Sequence, residues 1–436
     1  MKPLIQASAG SDMQRRGLLQ SAHSLRWIIW GATALVMLVL PLVFSSGFAI
    51  ALLSQIGIMI IFALSYNMLL GQTGMLSFGH AVYSGLGAFV AAHVLNQIGA
   101  SHFPLPVSLL PLVGGFGGML FGVLFGYVTT RKSGTTFAMI TLGIGEMVAA
   151  SSLMFPGFFG GEGGVPTNRT VGHAVLGITY GPAIQVYYLI ALWCLVSMIA
   201  MYAWTQTPLG RIANAVRDNP ERAEFVGYNT QRVRFLVMVL SAFFAGIAGG
   251  LSVIDFEIVT AENVGAAQSA GVLLATFIGG GAFFFGPVIG SVLFVLFAVA
   301  LSNLTPAWLL YLGLFFVLVV MYVPGGVSSL LMKQVPLIAA RKLHRMLPSY
   351  AAVLGAAMMV LCALVLTVEL VYKLQIDSDN GTAMRLAGLS FDAASWAPRA
   401  VAAMLWVLGA LASRLAAARL RDAWDRVQRE IAGSNA

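Results

Sequence analysis

Apolar runs long enough to cross a bilayer recur along almost the whole chain, separated by short stretches that hold its few charges. A helix covers the hydrocarbon with about 20 apolar residues, and only helices and closed barrels satisfy their backbone there. Runs this long and unbroken specify helices. Candidate spans cover Trp27 to Phe44, Phe48 to Leu70, Met75 to Leu95, Leu105 to Thr129, Phe137 to Phe155, Ile184 to Trp204 and Phe235 to Ile254. Ala267 to Leu301 is too long for one crossing and is split near Phe283 by GGGAFFFGP, after which come Ala307 to Val323, Tyr350 to Tyr372 and Ala397 to Ala412. The expected fold class is all-α, a polytopic membrane bundle of about 10–12 transmembrane helices.

Only 9% of the 436 residues are charged, against roughly 25% in a soluble domain. The formal charge of +8 makes no basic patch with interleaved aromatics, so no nucleic-acid partner is expected. Orientation accounts for the positive charge, because cytoplasmic loops collect Lys and Arg. Alternation from an inside N-terminus gives the inner loops Arg131, Lys132, the arginines between Thr207 and Phe235, Lys333, Arg341, Lys342 and Arg345. The outer loops then hold Asp255, Glu257, Glu262, Asp377, Asp379 and Asp392, with Arg169, Lys373, Arg385 and Arg399 as basic exceptions. Both termini fall in the cytoplasm. Residues 1–26 read as a basic tail ahead of an uncleaved first span, since no small-residue cleavage site follows Trp27 to Phe44. Cys194 and Cys362 lie inside apolar runs and read as packing residues.

A charged island, Thr207 to Phe235, cannot sit in hydrocarbon: it sets Arg211, Arg217, Arg222, Arg232 and Arg234 against Asp218, Glu221 and Glu224. Thr207 and Asn219 each precede a proline, the cap-then-Pro start of a helix, and Gly227 can close the second. Two short helices are expected. A loop built of helices can transmit force from a soluble motor, whereas a solvated linker cannot, and the island alone admits both readings.

Several clusters inside or beside the spans carry polar chemistry. In LLGQTGMLSFGHAVYSGLGAF, Gly71, Gly74, Gly79, Gly85 and Gly87 allow close backbone approach or a broken helix. Ser77 and His80 then line a polar path or serve as hydrogen-bonded core residues. Glu146 is an acid within a span, which costs about 3 kcal/mol on insertion and so calls for a partner or a function. In FFGGEGGVPTNR, Glu162 and Arg169 flank flexible glycines as a docking or gating element would, or an ordinary loop. Leu415 to Ile431 is an amphipathic helix, with Leu420, Trp424, Val427 and Ile431 on one stripe, suited to a membrane surface or a partner. No Gly-rich phosphate loop, no metal-ligand cluster and no catalytic triad can be assembled, so neither an enzyme nor a cofactor is expected.

Taken in order, NMLLGQTGMLSFGHAVYSGLGAF, TTFAMITLGIGEMV, GGEGGV, the whole island running on into FLVMVLSAFFAGIAGGL, GGGAFFFGPVIG and MYVPGGV mark a resemblance from Phe48 to Leu331. The chain resembles the permease subunits of branched-chain amino acid ABC importers, of the LivM type. That resemblance implies an inner-membrane subunit working with a second homologous permease, two cytoplasmic ATPase subunits and a periplasmic solute-binding protein. ATP hydrolysis would belong to those ATPases. Gly210, Arg211, Ala215, Arg217, Asn219, Ala223, Glu224 and Gly227 match the family's coupling segment. Ile212 and Val216 would give it an apolar edge for the ATPase, and Arg217 and Glu224 charged contacts. Gly71, Gly74, Ser77, Gly79 and His80 match its motif near the translocation path.

Ala282, Phe283 and Arg222 depart from the family pattern; Glu162 and the bulky run Phe283 to Phe285 would mark a branch with another substrate, so urea, short amides or aromatic acids stand beside branched-chain amino acids as solutes. The implied organisation is a cytoplasmic tail 1–26, a permease domain 27–332 with its coupling loop at 205–234, and an extension 333–436 outside the resemblance. An ion-coupled secondary transporter is the alternative of another class; it needs an intramembrane carboxylate, for which only Glu146 is deep enough. A scaffold or sensor would leave the glycine-rich spans without a purpose.

Overall fold

The computed structural model describes residues 27–101, 105–171, 179–339, 343–375, 383–386, 389–392 and 394–434. The tail 1–26 and, from the charge alternation, Arg341, Lys342, Asp377 and Asp379 lie outside them. Every expected span falls on a helix. In chain order these are α1 (Trp27–Val43), α2 (Gly47–Thr73), α3 (Ala81–Ser101), α4 (Leu110–Thr129) and α5 (Gly134–Met154). After a short α6 (Pro156–Phe159) come α7 (Ala183–Gln206), α8 (Pro208–Asp218), α9 (Pro220–Phe225), α10 (Thr230–Phe256), α11 (Ala266–Gly279) and α12 (Gly286–Val295). The remainder are α13 (Trp308–Tyr322), α14 (Gly326–Ala339), α15 (Leu343–Gln375) and α16 (Trp396–Ser434).

Lengths differ from the expectation in two places. Among the described residues, 8 helices are long and apolar enough to cross a membrane, or up to 9 if the bent pair α13–α14 is one span. The two halves of Ala267 to Leu301 come out short: α11 has 14 residues, about 21 Å, less than the ~30 Å of hydrocarbon. The expected start of the third span, Met75, also moves. Residues 74–80 are not helical, and α3 begins at Ala81.

Close contacts divide the chain into two units, 1–300 with 319–327, and 301–318 with 328–436. In the first, α10 is the axis, with 83% of its most apolar stretch buried. Glycine makes that burial possible. A Cβ on Gly114 of α4 would lie 2.5 Å from the Gly246 carbonyl oxygen of α10, so the two backbones cross without side chains between them. At the C-terminal end of α10 a small cap forms, where β1 (Val165–Pro166) pairs antiparallel with β2 (Ile258–Val259) in the register Val165↔Val259.

The second unit holds the extension. Here α15 and α16 pack on each other, and between them β3 (Ala383–Leu386) pairs antiparallel with β4 (Leu389–Asp392). The tail is not a separate amphipathic helix, because α16 runs for 39 residues without a break. Its stripe is covered within the unit: Leu420, Trp424 and Val427 cluster with Met346 and Tyr350 of α15. The side chain of Ile431 lies outside the described set. Within this unit Glu369 accepts hydrogen bonds from Thr305 Oγ1 at 2.7 Å and Tyr311 Oη at 3.3 Å.

Candidate coupling loop and solute route

The charged island folds as its capping residues dictate. Thr207 Oγ1 accepts from the Gly210 amide at 3.3 Å to start α8, and Asn219 Oδ1 accepts from the Arg222 amide at 2.9 Å to start α9. Gly227, at φ +96°, ends α9 in a conformation that side chains rarely adopt. Gly210, Ala213 and Val216 are buried along α8, which contacts α2, α7 and α10. The apolar edge assigned to Val216 therefore faces the protein, with Ile212 half-buried beside it.

What the loop presents outward is a different set. Phe225 is 90% exposed and Val226 71% exposed, and Val226 helps to line a groove of about 340 Å³ between α8 and α9. Ile212, Ala215, Arg222, Ala223 and Tyr228 help to line it. Sequence reasoning passed over Phe225, Val226 and Tyr228. The signal was an apolar pair directly before Gly227 in an otherwise charged segment.

Arg217 turns inward. Its Nη1 donates to the carbonyl oxygen of Gly71, in the last turn of α2, and its Nε donates to Asp218 Oδ1 at 2.9 Å. Glu224 is likewise engaged within the chain, accepting from Thr230 Oγ1 at 2.7 Å in the first turn of α10. Beside the Arg217 contact lies a cavity of about 370 Å³, whose walls include Gly71, Gly280, Gly281 and Gly326. A Cβ on Gly71 would meet Asn67 Oδ1 and the Gly281 carbonyl. The end of α2 thus fits only because residue 71 has no side chain.

Met75, Ser77, Gly79 and His80 of the break at 74–80 are buried, while Gly74 and Phe78 are exposed, and neighbouring helices pair with its backbone. Thr141 Oγ1 of α5 accepts from the Phe78 amide at 3.1 Å, and Ser269 Oγ of α11 accepts from the Ala81 amide at 3.0 Å. Such pairing is what lets irregular backbone persist at membrane depth. Ser77 and His80 are fully buried and line neither this cavity nor the one at the cap end. His80 packs between Phe62, Tyr66 and Tyr83, with Nε2 3.0 Å from Ser65 Oγ. Because the Ser65 hydroxyl donates to the Phe62 carbonyl at 2.7 Å, His80 Nε2 is the donor in that pair. Its Nδ1 is then an acceptor without a partner among the described residues, as is Ser77 Oγ.

At the other end of α10, Arg169 is a staple rather than an exposed docking charge. Nε donates to Tyr180 O at 2.8 Å, Nη1 to Ile254 O and Asp255 O at 3.1 and 3.2 Å, and Nη2 to Gly181 O at 3.3 Å. Its amide also donates to Glu257 Oε1 at 3.0 Å. Glu162 remains exposed. Beneath the cap is a second cavity of about 370 Å³ between α2, α3, α10 and α12. Glu146 lies on the exposed face of α5, next to exposed Leu142 and Met147, and lines neither cavity.

Residues 48–324 match the family model described as branched-chain amino acid transport system / permease component. The chain belongs to this family. It is a multi-pass membrane protein and the permease component of a transporter of the ABC class. The permease is 28% identical over 301 residues to the high-affinity branched-chain amino acid transport system permease protein LivM of Escherichia coli (strain K12), covering 64% of this chain and 70% of that one. LivM of Salmonella typhimurium (strain LT2) matches to the same extent. The fructose import permease protein FrcC of Rhizobium meliloti is 26% identical over 276 residues, 55% of this chain and 68% of its own. No solved structure matches the permease significantly.

Proposed function

We propose that this permease is the membrane subunit of an ATP-driven importer for branched-chain amino acids or related small polar solutes. Its partners are a second homologous permease, two ATPase subunits and a periplasmic solute-binding protein. The coupling loop 205–234 and both termini face the cytoplasm, the cap with Glu162 faces the binding protein, and the permease domain spans 27–332. Residues 333–436 are an extension to it.

One observation carries this reading: a capped pair of short helices offers an apolar groove outward while Arg217 ties the same loop to the glycine end of α2. A partner that moves the groove moves Gly71 with it. Arg211, Ala215, Asn219 and Gly227 shape or flank the surface that the ATPase would grip, and Arg217 and Glu224 hold that surface to α2 and α10. Gly71 sits where this motion meets the loop-end cavity, and Gly74, at φ +68°, turns the chain out of α2. Gly79, Ser77 and His80 form the packed core beside the route.

The sugar permease among the relatives makes the solute class the part to test first. Uptake of leucine, urea, a short amide, an aromatic acid and fructose by cells expressing the assembled transporter ranks them. Co-purification of ATPase with wild type and with Phe225→Asp tests the machinery. Loss of ATPase from Phe225→Asp, in a permease that still elutes as a folded species, is the expected result; ATPase absent from wild type overturns it. An ion-coupled mechanism has no comparable support, since Glu146 lines neither cavity.

A further inference from the structure

We propose that the cap-end cavity is a solute site within this single permease, selective for an aliphatic molecule whose polar end is an ammonium or a primary amide. The inference rests on the chain being a solute permease and adds to it a location and a head-group chemistry. At about 370 Å³ the cavity is of a size that holds small ligands. Its lining is mixed. The polar part includes Gln55, Ser84 and the exposed Glu262 and Gln268, whose side chains make no hydrogen bond or ion pair among the described residues. Ser84 is 91% buried, being 9% exposed, and it lines this space. The apolar part includes Phe294, Val299 and, on the same stripe of α2 as Gln55, Met59 and Phe62.

The Ser84 hydroxyl is left to hydrogen-bond with whatever enters beside it. The charge pattern decides what enters. Glu262 is the one acidic side chain among the described residues lining the cavity, and no Lys, Arg or His lies among them. A free carboxylate brought in would face Glu262 with no cation to offset it. An ammonium pairs with Glu262 directly, and a primary amide exchanges hydrogen bonds with Gln55 and Gln268. The aliphatic remainder covers Met59 and Phe62. Of the solute classes open to this permease, the site admits amine- and amide-bearing aliphatic molecules and disfavours simple acids.

The test uses three molecules of one carbon skeleton that differ in the head group: isopentylamine, 4-methylpentanamide and 4-methylpentanoate. Full-length permease in lipid nanodiscs, with Cys194→Ala and Cys362→Ser, carries a reporter cysteine in the cavity wall, Ala298→Cys or, independently, Ser252→Cys. The rate of labelling by a small hydrophilic maleimide is read with each molecule present. The amine and the amide are expected to slow labelling about tenfold once present at about ten times their Kd, and the acid to leave it unchanged. Adding Glu262→Gln abolishes protection by the amine and keeps that by the amide. Equal protection by the acid, or none by amine and amide at either reporter, overturns the proposal. Labelling needs no ATPase, so a failed protection beside intact ATPase co-purification removes only the site. Absent co-purification removes the importer reading and leaves the protection result to decide the site.

Discussion

The two ends of the α10 bundle are each held by an arginine, and they are held differently. At the cap end, Arg169 donates to four backbone carbonyls, of Tyr180, Gly181, Ile254 and Asp255, and its side chain is only 16% exposed. At the loop end, Arg217 donates to one carbonyl, Gly71, and to Asp218, and its side chain is 37% exposed. Many bonds to fixed backbone make a joint that does not open. A single bond at the rim of a cavity makes one that can be displaced and remade. The cap end is thus built as a frame and the loop end as a lever, which under the proposed function is where the ATPase would act.

The largest way to break this contrast is to remove the frame. Arg169→Ala leaves four backbone carbonyls without their side-chain donor and removes the 3.9 Å ion pair with Glu257, and is expected to cost about 3–5 kcal/mol, read as a fall in the thermal unfolding midpoint in detergent. A small change there would mean that the cap is not a frame. Gly71→Ala comes next, at about 1–3 kcal/mol from overpacking against Asn67 and Gly281; transport should fall more than stability does. Glu224→Gln weakens one charge-assisted bond to Thr230, expected to cost below about 1 kcal/mol, with a modest loss of uptake at unchanged ATPase association. The smallest effect is Glu146→Gln. Uptake should match wild type, and its loss would return a carboxylate to the route and favour ion coupling.

Much of the loop end was legible in the sequence, because capping is local chemistry. Thr207-Pro208 and Asn219-Pro220 start their helices where the residue types say they should. The directions of Arg217 and Arg169 were not legible. A charge inventory pairs arginines with carboxylates, whereas both side chains find backbone carbonyls brought near only by the fold, Gly71 and Ile254 among them. Hydropathy marked where helices lie but not which one is central. The most apolar stretch of α15 has a mean hydropathy of 2.6 and is 11% buried within the structure, while that of α10 has 2.2 and is 83% buried. Glycine spacing on α4 and α10 carried that information. The unbroken run from Trp396 to Ser434 could have been read, since neither glycine nor proline separates the span from the tail between Ala410 and Ala432.

The central claim is that the loop moves the glycine end of α2 through Arg217. Its most direct test is the ratio of solute imported to ATP hydrolysed by the assembled transporter in proteoliposomes, for wild type and Arg217→Ala. The account predicts that Arg217→Ala keeps its ATPase and hydrolyses ATP while the ratio falls at least about fivefold, and that Arg217→Lys restores it only in part. An unchanged ratio in Arg217→Ala would contradict the account.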